Sequence, residues 1–349
     1  MKRTEGVMPV ASTQTRPIQL RSIHHDASAS IARAVRFLLQ ARRADGWWRD
    51  FETLAGLSDE WVTAFVASAL ARSGREDGIS AARDALKRLN RRQSWSGGWG
   101  YNARVPADAD STLWVLSLMG ALDVRHSFRA RWARTFVRRH AKSNGGIATY
   151  ASPKPIRFFT QLASNVSFAG WCAPHVCVSA LAATVELSVR PGVLEFVRRS
   201  QSSDGSWDAY WWFDREYSSA LAVAALAATA TPDDEKRIAH AVAWGISRLE
   251  GGGPPLSPFA VAWLLSLLKA GGAPGPGRKA ALSLLLDSQA PDGSWPATAR
   301  LRIPPPDVVE PDRYDRWVVG GRGGGSVVLE RSGCFTTAAA LNALCGLDR

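Results

Sequence analysis

The chain has 349 residues, of which 46% are hydrophobic, and a formal net charge of +12. That is ample material for a large core, and the strongly apolar stretch over 217–230 is too short and too rich in Ala and Ser to span a membrane. Aromatics do not interleave with the basic residues as base stacking requires, which argues against nucleic acid as a partner, and the four cysteines lack Cys-x-x-Cys spacing, as expected of a reduced, cytoplasmic protein.

Residues 1–28 are polar and basic and lack the apolar run of a signal peptide or anchor, so they read as a disordered tail. Over 29–349 a basic amphipathic helix, a glycine-rich turn and an almost wholly apolar helix follow one another six times. The pairs are expected at 32–43 with 60–72, 82–92 with 111–122, 128–142 with 176–187, 193–201 with 217–229, 235–249 with 258–268, and 278–289 with 335–347. Turns recur at intervals of about 40–60 residues, the range of helical repeats. Three share one signature, Gln40…Gly46-Trp47, Gln201…Gly205-Ser206-Trp207 and Gln289…Gly293-Ser294-Trp295, and Gln93…Gly97-Gly98-Trp99 is close to it.

The first helix of each pair has one wet face, whereas the second is apolar nearly all round, as befits a helix enclosed by protein. An inner ring of helices within an outer ring satisfies both patterns, giving a single α6/α6 barrel; no segment alternates with the period of two that a sheet protein needs. The basic residues fall mainly on the outer helices. They read as a solvated face, with peripheral association to an anionic membrane surface as the alternative, and pairing into a homodimer is left open. Residues 300–332 are irregular, and Val318–Val328 reads as a hairpin or flap beside the mouth of the last inner helix.

All inner helices run the same way, so one end of the ring gathers Asp59, Glu60, Asp108, Asp110, His175, Tyr217, Ser257 and Cys334. Two close carboxylates cannot both ionise cheaply, so Asp108 and Asp110 are candidates for a pair that keeps a proton near neutral pH. The plainer reading makes Asp108 a helix cap and Asp110 a first-turn acid. For Asp59 and Glu60 the readings are a cap, a rival acid, a final base or a metal site.

The repeated turns, Asp108-Ala109-Asp110-Ser111-Thr112 and Phe335-Thr336-Thr337-Ala338-Ala339-Ala340-Leu341 resemble the squalene–hopene cyclase and class II terpene cyclase superfamily. That resemblance implies a protonation-initiated cyclase acting on a hydrophobic polyprenyl or prenylated small molecule through a carbocation. It casts Asp110 as the proton donor, Asp108 as its charge-holding partner, Ser111 or Thr112 as orienter, and His175 as the histidine that hydrogen-bonds the donor. The turn tryptophans would pack between repeats. Aromatic faces stabilise cations by about 0.5–2 kcal/mol each, so Trp61, Trp114, Tyr217, Phe259, Trp263 and Phe335 are candidate walls for a dry pocket. With Asp59, Glu60, Ser111, Thr112 and Cys334 they make up the expected substrate-binding set. No cofactor is required on this reading, and Mg2+ enters only if the substrate carries a diphosphate. Two alternatives stay open: the same acid acting on a non-terpenoid intermediate, and a non-catalytic barrel that binds a hydrophobic ligand.

Overall fold

The computed structural model describes residues 20–185, 190–229 and 231–345. Six helix pairs are present, each with an outer and an inner member. The outer helices are α1 (Leu20–Ala41), α3 (Glu76–Arg92), α5 (Phe128–Arg138), α8 (Arg190–Arg199), α10 (Pro232–Leu249) and α12 (Gly275–Asp287). The inner helices are α2 (Glu60–Arg72), α4 (Ala109–Ala121), α7 (Val176–Val185), α9 (Arg215–Ala227), α11 (Pro258–Ala270) and α13 (Cys334–Leu344). Each inner helix packs on the next, and α13 returns to α2, so the ring closes. The expected tail over 1–19 and the expected helix ends at 186–187 and 346–347 lie outside the described residues. Helix α1 begins at Leu20.

The turn signature has a physical role. Gln93, Gln201 and Gln289 each donate their side-chain amide to the carbonyl of their own turn glycine (Gly97, Gly205, Gly293) at 2.8–3.0 Å. The same nitrogens reach a backbone carbonyl of the next outer helix, at Arg129, Arg237 and Ser30. The last of these contacts joins α12 to α1 and locks the ring across its seam. Gly293 lies there at φ +93°, and a Cβ would stand 2.3 Å from the carbonyl of Arg33, so only glycine fits.

Four tryptophans donate their indole N–H to the carbonyl ten residues back: Trp48 to Leu38, Trp99 to Leu89, Trp207 to Val197 and Trp295 to Leu285, at 2.7–2.8 Å. In the first repeat the equivalent residue is therefore Trp48. Trp47, its expected counterpart, instead stacks beneath the guanidinium of Arg92 at 4.0 Å. Arg42, whose Nε donates to the Gly46 carbonyl, makes there the bond that the glutamine makes in other repeats.

Small strands and one extra helix build over the open end. Strands β1 (Asp50–Thr53) and β2 (Gly56–Ser58) form a hairpin. Helix α6 (Pro153–Thr160) is an insertion between α5 and α7 that was not among the expected helices. In the flap, β5 (Ser326–Leu329) pairs antiparallel with β3 (Arg300–Ile303) and parallel with the two-residue β4 (Val318–Val319). The expected 318–328 hairpin is thus replaced by a three-stranded sheet, because the glycine-rich 320–325 stretch loops back far enough to bring β4 alongside β5 in the same direction. Asp50 anchors the flap to the barrel by accepting from the backbone N–H of Arg331 and Ser332, both at 2.9 Å.

Candidate active site

The open end holds a cavity of about 580 Å³. Its floor comprises Trp61 of α2 and Asp108, Asp110 and Ser111 at the start of α4, while β1–β2, α6 and the flap wall it in. Cations are scarce along it, Arg322 of the flap being the lining arginine.

Asp108 is the N-cap of α4. One carboxyl oxygen accepts from the Ser111 backbone N–H at 2.7 Å, and the other accepts from the Ser111 hydroxyl at 2.8 Å. Burial pushes its pKa up to about 7, against the pull of these donors. Asp110, two residues on, is half-buried and lines the cavity. Burial and then the charge of Asp108 push it up to about 8, with no hydrogen bond among the described residues to hold its ionised form. The two carboxyls are therefore inequivalent: Asp108 has the donors that suit a carboxylate, whereas Asp110 lacks them and is pushed toward its protonated form beside a largely apolar space. Asp108 thus caps the helix, as the plainer reading has it, and also lines the cavity.

Thr112 serves the scaffold instead. Its hydroxyl donates to the Asp108 carbonyl and also receives the Trp99 backbone N–H, as Thr63, Ser219 and Thr337 do for Trp48, Trp207 and Trp295. Asp59 and Glu60 lie outside the cavity lining. Asp59 is ion-paired with Arg92 at 3.0 Å and Arg49 at 3.5 Å. Glu60, pushed up to about 7 by burial, accepts from the Gly100 N–H at 3.1 Å.

His175 does not contact Asp110. Its Nε2 lies 3.0 Å from the Gly170 carbonyl and its Nδ1 lies 2.9 Å from the Thr149 hydroxyl, with Tyr210 stacked on the ring at 3.7 Å. Burial lowers its pKa to about 3. The start of α7 places the imidazole behind the cavity wall.

Among the expected aromatic walls only Trp61 lines the cavity. Trp114, Tyr217, Phe259, Trp263 and Phe335 pack with Phe65 and Trp212 into a plug along the barrel axis, with Phe65 stacked on Phe335 at 3.9 Å and Tyr217 edge-on to Trp263 at 4.7 Å. Inward side chains of six converging helices meet at the axis, so large aromatics there fill the barrel and leave the cavity above them. Cys334 is buried with its sulfur 3.9 Å from Asp50, away from the cavity. The other aromatics that line the cavity are Tyr101, Tyr150, Phe159, Trp171 and Trp211, all outside the inner helices.

The flap arginines are mostly committed. Arg300 pairs with Asp214, Arg302 with Asp312 and Arg313 with Glu310. Arg322 pairs with Glu52 at 2.8 Å on the cavity rim. Among the described residues no group of three or more His, Cys, Asp or Glu side chains could hold a metal, and no helix is long and apolar enough to cross a membrane.

Comparison with known proteins gives concordant results. A variant of the type II terpene cyclase MstE from Scytonema, solved with geranylgeranyl dihydroxybenzoate as substrate, superimposes with a TM-score of 0.88 at 38% identity, covering 93% of this chain and 98% of that one. Another MstE variant, solved with the product merosterolic acid A, gives 0.88 at 39% identity with the same coverage. The squalene–hopene cyclase of Zymomonas mobilis subsp. mobilis is 27% identical over 224 residues, which are 54% of this chain and 33% of that protein. The chain thus spans about a third of the length of the curated relatives it matches. No family model matches it.

Proposed function

The chain belongs to the type II terpene cyclases, and from that premise we propose that it cyclises a polyprenyl chain carried on an acidic, aromatic-type head group, with Asp110 as the general acid. The observation that carries this reading is the Asp110 carboxyl lining a largely apolar cavity beside Asp108, where burial and that neighbour push its pKa up to about 8.

In the reaction the Asp110 O–H adds its proton to the terminal alkene, leaving a tertiary cation and an Asp110 carboxylate. Successive double bonds attack in turn, and loss of one proton at the end makes the product an isomer of the substrate. The charge that keeps Asp110 protonated at rest then works forward: once the proton has moved, two carboxylates face one cation, so the pair stabilises charge that exists only after transfer. Trp61, Tyr101, Tyr150, Phe159, Trp171 and Trp211 supply faces that attract the cation without attacking it, and a largely apolar lining disfavours early quenching by water. The volume suits a ligand of this size, since small-molecule sites span about 300–1,000 Å³.

The head group follows from the rim. Arg322 is the cavity's arginine and already shares Glu52, which suits a singly charged carboxylate. A diphosphate calls for several cations or a metal held by further carboxylates, and the lining carboxylates are Asp108 and Asp110 on the floor.

The test is incubation with geranylgeranyl dihydroxybenzoate, geranylgeranyl diphosphate and squalene, followed by mass spectrometry, with Asp110→Asn as control. An isomer formed from the benzoate and absent in the control is the expected outcome. Conversion of the diphosphate alone would overturn the head-group assignment, and conversion that survives in Asp110→Asn would overturn the acid.

A further inference from the structure

The buried His175 and the cavity-lining Thr149 and Trp211 form a hydrogen-bonded line whose proton positions are fixed by chemistry. A carbonyl only accepts, so the 3.0 Å contact to Gly170 requires the His175 proton on Nε2. Nδ1 of that neutral ring is then an acceptor, and the hydroxyl of Thr149, 2.9 Å away, donates to it. With its proton committed, the Thr149 oxygen accepts the indole N–H of Trp211 at 2.7 Å. Each step dictates the next: Trp211 to Thr149, Thr149 to His175, His175 to Gly170. The ring is clamped further by Tyr210, stacked at 3.7 Å, and by Trp211, edge-on at 5.8 Å.

We propose that His175 is a positioning residue which, through Thr149, holds the Trp211 indole in place as a cavity wall for the cationic intermediate. This rests on the cyclase reading for its chemical consequence, though the relay itself is a property of the folded chain. Thr149 lies beside the acid, since its carbonyl accepts the Ala109 N–H at 3.0 Å, so the wall it steadies adjoins the place where the first cation forms. Two needs are met together. A tryptophan that stays put keeps its quadrupole aimed at the charge, and a threonine hydroxyl that must sit near a cation has its proton directed away from the cavity. The low basicity of His175 supports the assignment, since the neutral tautomer persists through the working pH range.

Two independent readouts test it. The first is NMR of the full chain labelled with 15N at His and Trp, with the Trp211 indole signal assigned by Trp211→Phe. His175 is expected as the Nε2–H tautomer. The indole proton should exchange slowly in the wild type and in His175→Asn, whose amide can accept from Thr149 and donate to Gly170. It should exchange at least about tenfold faster in Thr149→Val and His175→Phe. An Nδ1–H tautomer, or equal exchange in all variants, overturns the relay.

The second readout is product composition with geranylgeranyl dihydroxybenzoate. Thr149→Val and His175→Phe should raise the share of incompletely cyclised or hydrated product by about 2- to 30-fold, the factor corresponding to one misplaced aromatic face. kcat should fall with little change in KM, and the Thr149→Val/Trp211→Phe double variant should be no worse than the poorer single variant. A structural role alone would lower Tm without changing product composition, and an unchanged composition in folded Thr149→Val overturns the proposal. Should the wild type convert none of the substrates, the proposed function fails, and the NMR result still decides the relay.

Discussion

Replacing Asp110 by Asn should abolish turnover and at the same time stabilise the fold, increasingly so as pH rises. The free Asp carboxyl ionises near pH 4, whereas Asp110 in the folded chain holds its proton up to about pH 8 because it is buried beside Asp108. Between those values the folded state binds one more proton than the unfolded state, so wild-type stability falls with pH by about 1.4 kcal/mol per unit. This raised pKa gives stability that is fully present below about pH 4 and lost as pH climbs through about 8. Over that window the loss is on the order of 5 kcal/mol as an upper bound. Asn has a similar shape and no titration, so any fixed cost of the substitution is the same at every pH and only the slope matters. Denaturant unfolding of both proteins from pH 4 to 9 should show the difference in favour of Asp110→Asn widening to about pH 8 and then levelling. Parallel curves would refute the claim that the carboxyl is held protonated, whatever the activity data say.

The turn tryptophans should matter to folding first: Trp207→Phe leaves the buried Val197 carbonyl without its 2.8 Å indole partner and should cost about 1–3 kcal/mol in equilibrium unfolding, with kcat nearly unchanged in the folded fraction. On the cavity rim, Arg322→Gln removes the charge that would meet an acidic head group, so KM for the benzoate should rise on the order of tenfold with kcat little changed, the pattern of lost uniform binding. A fall in kcat alone would place Arg322 in the chemistry instead.

Architecture was legible where it rests on local pattern. Inner and outer helices differ in periodicity, and in the turns at Gln93, Gln201 and Gln289 the Gln and Gly stand at one fixed spacing because one amide must reach both its own turn and the next outer helix. The place of Asp108 and Asp110 was legible for the same reason, since they occupy a helix start that the repeat sets at the ring's open end. Side-chain partners across the ring were not. The adjacent Trp47 and Trp48 offer two registers, and only the position of the Leu38 carbonyl decides between them. His175 could be placed at a helix start, but whether it faces Asp110 or Thr149 depends on the path of the loop ahead of α7. Aromatics on the inner helices were expected to line a pocket, and all of the expected set but Trp61 instead fill the axis. Those that do form the wall, Tyr150, Phe159, Trp171 and Trp211 among them, lie in connections without periodicity. The segment between α5 and α7 is longer than every other outer-to-inner connection except the flap-bearing one between α12 and α13, and it is rich in aromatics, which was the available sign that it roofs the site.

The central claim is that a proton from Asp110 starts the reaction, and isotope incorporation tests it most directly. Wild-type protein equilibrated in D2O exchanges the Asp110 proton for deuterium before it meets substrate. Cyclised product should then carry one deuterium on the former terminal-alkene CH carbon, now a ring methylene, its mass raised by one unit, and Asp110→Asn should form none. A cyclised product without deuterium, or one formed with loss of a diphosphate, would contradict the account and point to initiation by ionisation.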